Sequence, residues 1–167
     1  MTWTVEALGD AHQFEGFDCG NEDLNGWLIN YARHGVRQGT RTYVVVDDDD
    51  RLAGYFAVAP HVVEREETPR SIGRGAPRQI PAILLAKFAL DRQVQGGGLG
   101  RELLVLALTT IVDAARAAGG KVVVVDAIAA AAASFYEHHD FIAVPTDPHR
   151  LVQKLSTVAA ALGLPWP

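Results

Sequence analysis

The stretch "LDRQVQGGGLGRELL", residues 90–104, places four glycines in five positions and then runs into a helical pattern. Glycine gives up more backbone freedom on ordering than any other residue, so such a run at a helix start needs a reason. A strand, a glycine-rich loop and a helix together make a general phosphate-holding device. Backbone N–H groups at the helix N-terminus point outward, and the macrodipole favours an anion there. Spacing excludes two common forms. A nucleoside-triphosphate loop ends in Gly-Lys-Ser/Thr, whereas Gly100 is followed by Arg101 and Glu102. A dinucleotide loop needs Gly-x-Gly-x-x-Gly, and its third glycine falls on Arg101 counted from Gly96 and on Leu103 counted from Gly98. A glycine turn without a ligand is the plain structural alternative.

The flanks define the loop's context. "PAILLAKFAL", residues 81–90, is a nearly continuous apolar run, as a strand buried on both faces requires. After the loop, Leu99, Leu103, Leu106 and Ile111 continue a helix to Arg116, closed by Gly119 and Gly120. Upstream, residues 3–8 alternate as a strand, and "GNEDLNGWLINYARHGV" reads as an amphipathic helix with Asn21 as N-cap. "RTYVVVDDDDRLAGYFAVAP", residues 41–60, reads as a hairpin, strands 42–46 and 52–59 flanking a solvated acidic turn. Residues 61–80 read as a loop with room for one short helix. Downstream, "KVVVVDA" is a central strand, "AIAAAAASFYEHH" a short helix, and "FIAVP" and "LVQKL" two closing strands around the turn "TDPH". Residues 157–167 belong to no obvious element. The pattern predicts an α/β (α+β) fold with one mostly antiparallel sheet of six to seven strands flanked by about four helices. Residues 1–156 read as a single domain, with 157–167 as a C-terminal tail.

At 167 residues, 49% apolar and 21% charged, the chain has the composition of an ordinary soluble domain. No run approaches the roughly 18–20 apolar residues of a membrane span, and the N-terminus lacks a signal-peptide pattern. The lone cysteine, Cys19, excludes an internal disulfide and suits a reducing cytoplasm. The net charge of −5 is unevenly spread: −6 over residues 1–30, +3 over 31–45 and +3 over 61–101. Arg33, Arg37 and Arg41 make one basic block; Arg65, Arg70, Arg74 and Arg78 dominate the other. A local positive surface, rather than the whole-chain sum, decides nucleic-acid affinity. Two solvated arginine-bearing segments are the plain alternative. No histidine shows metal-ligand spacing, so no metal is expected.

Gln95 to Gly100 satisfies Gln/Arg-x-x-Gly-x-Gly/Ala, the pyrophosphate loop of the GNAT acetyltransferase superfamily. With "FDCGNEDLNGWL", "GYFAVAP", "AAAASFYEHHDF" and "PTDPHRLVQKL", the chain from Phe17 to Leu155 resembles the GNAT toxins of bacterial type II toxin–antitoxin modules. One departure is Asp140, where those proteins usually carry glycine before the final Phe; aspartate tolerates the left-handed conformation better than most residues.

The resemblance implies acetyl-CoA as cofactor and acetyl transfer to the amine of aminoacyl-tRNA, which blocks translation. It implies that Phe88 and Leu90 line the pantetheine arm. It places the pyrophosphate on the backbone of Gln95, Gly96, Gly97, Gly98, Leu99 and Gly100, with Arg101 adding charge. Tyr136, in "SFYEHHDF", matches the general acid that protonates the departing thiolate. The two arginine blocks would meet tRNA phosphates. A ribbon-helix-helix antitoxin and a homodimer are implied likewise. A general base is harder to find: His61, Glu64 and Asp91 are the possible helpers. An α-amino group titrates at about 7.7–8.0, against about 10.4 for lysine, so an α-amine acceptor needs less help. A GNAT enzyme of a small amine or protein N-terminus, and a non-catalytic acyl-CoA-binding module, are the alternatives.

Overall fold

Asn21 begins the first helix as expected, its side-chain oxygen accepting the Leu24 N–H at 3.0 Å. A computed structural model describes residues 2–167 of the chain. Helix α1 (Glu22–Asn30) carries Glu22 and Asp23 in its first turn, where they complement the dipole, and buries Leu24 and Leu28. The helix does not persist through the arginines. Residues Ala32–Gln38 tighten into a 3₁₀ turn closed by Gly39, and Arg41 already belongs to strand β2 (Arg41–Val46). Arg33, Arg37 and Arg41 therefore do not share a helix face.

Strand β1 (Thr4–Ala7) pairs antiparallel with β2, which pairs antiparallel with β3 (Leu52–Glu64). The acidic hairpin tip is organised by Asp47, whose Oδ1 accepts the N–H groups of Asp49 and Arg51 at 2.8 and 2.9 Å. Strand β4 (Gln79–Leu90) is the expected apolar strand, and α3 (Leu99–Ala118) the expected long helix. Then come β5 (Val122–Asp126), α4 (Ala130–His138), β6 (Ile142–Val144) and β7 (Asp147–Lys154). The seven strands run β1-β2-β3-β4-β5-β7-β6, with β4 and β5 parallel and β5–β7 and β6–β7 antiparallel.

Three segments differ from the sequence reading. Residues 61–80 are more ordered than a loop: β3 runs on to Glu64, a 3₁₀ turn spans Arg65–Glu67, and α2 (Arg70–Gly73) follows. Proline and arginine hide the alternation there, but Arg65 N–H still bonds the Arg78 carbonyl at 2.8 Å. Strand β7 starts at Asp147, inside the expected turn. Residues Leu155–Leu162 form helix α5, held by buried Leu155, Val158 and Ala159, where no element was expected. Small alanines between those anchors left little periodic contrast to read.

The chain divides into two compact units, Met1–Ala59 with Ala86–Ala107, and Pro60–Leu85 with Leu108–Pro167. In the first, Leu24, Leu28, Val44, Val46 and Tyr55 form the core beside Phe17 and Ala89. Trp27 stacks on Tyr55 at 6.0 Å, and the Tyr55 hydroxyl donates to the Leu24 carbonyl at 2.6 Å, fixing α1 to β3. A Cβ at Gly54 would lie 2.8 Å from the Ala89 carbonyl oxygen, so only glycine lets β3 and this end of β4 approach so closely. In the second unit, Ile80, Ala82, Val122, Val124 and Val152 form the core with Ile72 and Ala76.

Candidate active site

In the first unit, Asp91 directly follows the end of β4, and the loop is built from this root outward. Asp91 is 8% exposed, and both carboxylate oxygens are engaged. Oδ1 accepts the Gln93 N–H at 2.9 Å, capping a 3₁₀ turn over Arg92–Val94. Oδ2 accepts the Asp18 N–H at 3.1 Å, while Arg92 N–H donates to the Asp18 carbonyl at 2.8 Å. Asp18 is held in turn by Asn25 and by the Gly20 N–H, which keep its carboxyl below the ordinary value, with Arg92 adding to the effect. Asn25 also accepts the Cys19 N–H at 2.9 Å. The "DCGN" segment is thus a clasp between α1 and the glycine loop. Burial pushes the Cys19 thiol upward, so it stays protonated.

Gln95 closes the loop. Its side-chain amide donates to the Leu90 carbonyl at 2.8 Å and to the Cys19 carbonyl at 3.1 Å, and its own backbone N–H turns toward the Arg92 carbonyl at 3.4 Å. Gly96 and Gly98 adopt φ of +86° and +80°. Gly97 lies outside the left-handed region, and a Cβ there, as at Gly96 and Gly98, would meet no protein atom within 4 Å. Neither conformation nor packing therefore requires glycine at 97, and the space against its backbone is open. Within α3 the Glu102 N–H bonds the Gly98 carbonyl, so the N–H groups of Leu99, Gly100 and Arg101 precede the first intrahelical bond. The Leu99 side chain is buried, and Arg101 is exposed. Phe88 and Leu90 are half-buried near the end of β4. This arrangement fits a diphosphate: outward N–H groups, a helix N-terminus, no side chain above the backbone, and a cation beside it.

In the second unit, Tyr136 is 5% exposed, edge-on to Phe135 and Phe141, and burial pushes its phenol well above the ordinary value. It is a protonated hydroxyl at any physiological pH. The turn after it is closed by bonds from the His139 and Phe141 N–H groups to the Tyr136 carbonyl, at 3.0 and 3.1 Å. Asp140 takes φ +73°, performing the left-handed role that glycine usually fills.

The same unit holds a cluster that sequence reading did not assemble. Arg150 grips Asp126 with two parallel bonds of 2.7 and 2.8 Å, and its third nitrogen lies 3.3 Å from His61 Nε2. Arginine only donates, so Nε2 accepts and the His61 proton sits on Nδ1. Burial, reinforced by the guanidinium, pushes His61 below its ordinary value, and the Arg150 bond does the same for Asp126. The available signal was a charged residue ending the apolar run "VVVVD", opposite Arg150 in the antiparallel register. Of the three possible bases, His61 spends its Nε2 lone pair on Arg150, and Asp91 is fully engaged. Glu64 accepts from the Gln79 side-chain amide at 3.3 Å.

The arginines separate by use. Arg33 donates to the Gly9 and His12 carbonyls and lies over the Phe14 ring, and Arg65 donates to the Ala76 carbonyl at 3.0 Å. Arg37 and Arg41 in the first unit, and Arg70, Arg74 and Arg78 in the second, are exposed. Among the described residues none of these five has an ion-pair partner.

Comparison with known proteins follows the same lines. Residues 39–143 match the acetyltransferase (GNAT) domain. The chain is 34% identical over 156 residues to a tRNA-acetylating toxin of Mycobacterium tuberculosis, covering 93% of this chain and 94% of that protein. Among solved structures it resembles AtaT complexed with acetyl-methionyl-tRNAfMet, with TM-score 0.86, 26% identity, and 96% and 99% of the two chains covered. It also resembles a tyrosine-to-phenylalanine mutant of AtaT bound to acetyl-CoA and the C-terminus of the antitoxin AtaR. That match has TM-score 0.80, 26% identity, and 96% and 98% covered.

Proposed function

Because the chain belongs to the GNAT acetyltransferase family, we propose that it moves an acetyl group from acetyl-CoA to the α-amine of aminoacyl-tRNA, a toxin activity that withdraws charged tRNA from translation. Gly97 carries the cofactor half of this reading: neither its conformation nor a neighbouring atom calls for glycine, and its open backbone gives a diphosphate room to lie against it. Kinship with the tRNA-acetylating toxin supports the acceptor half.

Acetyl-CoA supplies the activated acyl group and a thiol as leaving group. Gly96, Gly97 and Gly98, with the N–H groups of Leu99, Gly100 and Arg101, hold the pyrophosphate; Phe88 and Leu90 offer the strand face for the pantetheine arm. Gln95 acts mainly through its side chain, which keeps the loop closed. Tyr136 is the general acid, since burial keeps a proton on its phenolic oxygen. With His61 Nε2 and Asp91 occupied, Glu64 is the one candidate base with a carboxylate oxygen to spare, and an α-amine already partly neutral near pH 7–8 needs little help from it.

We assign phosphate contacts to Arg37, Arg41, Arg70 and Arg78, and positioning of the local backbone to Arg33 and Arg65; Arg74 is kept apart from this set because it lines an apolar hollow of the second unit. An antitoxin partner is supported by the AtaT–AtaR structure. Action in the cytoplasm follows from the substrates, and no helix among the described residues is long and apolar enough to cross a membrane. A homodimer is the assembly to test by sedimentation.

The deciding experiment incubates the protein with labelled acetyl-CoA and total charged tRNA, then hydrolyses the ester and identifies the released amino acid. Label recovered as an N-acetyl amino acid is the expected result. Label found only on free small amines or protein N-termini overturns the acceptor assignment.

A further inference from the structure

In the second unit, three cations converge on an apolar hollow at the end of β5 away from α4. Lys121 precedes β5, and Lys154 ends β7 opposite Val122 in the antiparallel register. Arg74 comes from the segment after α2, and all three line a cavity of about 170 Å³. Its floor is aliphatic: Ile72, Ile80 and Val122 are 7%, 0% and 2% exposed and continue into the core of this unit. Trp166 lines it from the C-terminal segment, and no acidic residue lines it. Among the described residues, no carboxylate pairs with Arg74, Lys121 or Lys154. In a chain of net charge −5, three unpaired cations around one hollow are a local excess.

The wall is rigid. Arg65 ties down the Ala76 carbonyl at 3.0 Å, the Thr68 hydroxyl donates to the Arg65 carbonyl at 2.7 Å, and Ala76 N–H bonds the Gly73 carbonyl at 3.0 Å. A Cβ at Gly73 would meet Thr68 Oγ1, so the turn presenting Arg74 has no slack. The backbones of Lys121 and Leu155 are pinned by bonds of 2.8 and 3.0 Å. Little ordering is left for a ligand to impose.

We propose that this hollow docks an acidic peptide segment of a protein partner, one aliphatic side chain filling the pocket and flanking carboxylates meeting Arg74, Lys121 and Lys154. Charge complementarity selects the flanks. The closed aliphatic floor selects the anchor: a nucleic-acid backbone has nothing apolar to bury there. Four residues of β5, about 13 Å at strand rise, separate this end from the Asp126 end that leads into α4 and Tyr136. Occupancy therefore does not fill the place of the acetyl acceptor, and this inference stands whether or not the acceptor assignment does.

Trp166 provides a direct reporter. The full chain, uniformly ¹⁵N-labelled, is titrated with a capped nine-residue peptide of aspartate and glutamate carrying one central leucine. The Trp166 indole resonance, assigned by Trp166→Phe, is expected to shift and saturate below millimolar concentration. The Leu→Ser peptide should bind at least tenfold more weakly, as should the Lys121→Glu/Lys154→Glu variant, with acetyl-CoA affinity unchanged. No shift at 5 mM peptide overturns the proposal. So does a shift caused equally by the serine peptide, or one produced by an RNA oligonucleotide and not by the peptide. A shift that follows protein concentration without peptide overturns it in favour of self-association.

Discussion

Asp91 accepts the backbone N–H of Asp18 at 3.1 Å, joining positions 73 residues apart at the root of the glycine loop. Replacing Asp91 by alanine strands that N–H and the Gln93 N–H. Both donors sit on exposed residues where water can replace the carboxylate, so each lost hydrogen bond costs about 0.5–1.5 kcal/mol. Asp91→Ala should lower the urea midpoint accordingly and weaken acetyl-CoA binding in calorimetry. An unchanged midpoint would mean the clasp contributes nothing.

The three loop glycines should separate by cause. At Gly96 and Gly98 the positive φ makes alanine strained, at about 1 kcal/mol or more. At Gly97 alanine meets neither strain nor a neighbouring atom. Gly97→Ala should therefore keep wild-type melting while losing acetyl-CoA affinity, whereas Gly98→Ala should lose both. Gly97→Ala with full affinity would remove the pyrophosphate from this loop.

Tyr136→Phe removes the phenolic proton while keeping the ring packed on Phe135 and Phe141. Turnover should fall by about 10²–10⁴, the range for a lost general acid. Acetyl-CoA affinity should change little. Wild-type turnover would take Tyr136 out of the chemistry.

Acid should destabilise the protein in two steps. His61 is depressed when folded, so below about pH 6.5 the unfolded chain takes up this proton first and stability falls as pH drops. Asp126 is also depressed; its contribution is complete above the unfolded value of about 3.9 and is lost as pH falls toward the folded one. Urea midpoints at pH 7.5 and 5.5 should differ less for His61→Gln than for wild type. Asp126→Asn should alter the change between pH 5 and 3. Identical profiles for all three proteins would dissociate the cluster from stability.

Charge reversal at Arg37 or Arg78 should weaken tRNA binding and lower the salt slope by about one for each phosphate no longer neutralised. Arg33→Ala should instead lower the melting temperature, because the Gly9 and His12 carbonyls lose their donor. Equal effects of all three on the salt slope would refute the division between binding and structural arginines.

Local signals were legible in the sequence. The Asn21 cap, the apolar run into β4 and the long helix that follows the glycines each act within a few residues, and each formed as read. Asp140 was readable because its left-handed turn depends only on its own backbone. The arginine blocks were readable as charge but not as use, since Arg33 and Arg65 are taken up by carbonyls 11 to 24 residues away. The Asp126–Arg150–His61 cluster spans up to 89 residues and needed three-dimensional register to appear. Helix α5 escaped because alanine scarcely marks a buried face.

Gln95 holds its loop with a neutral amide rather than a cation. A neutral bond is hardly screened by salt and does not titrate, so the glycine loop is held in one shape at ionic strengths and pH values over which an ion pair in the same place would weaken.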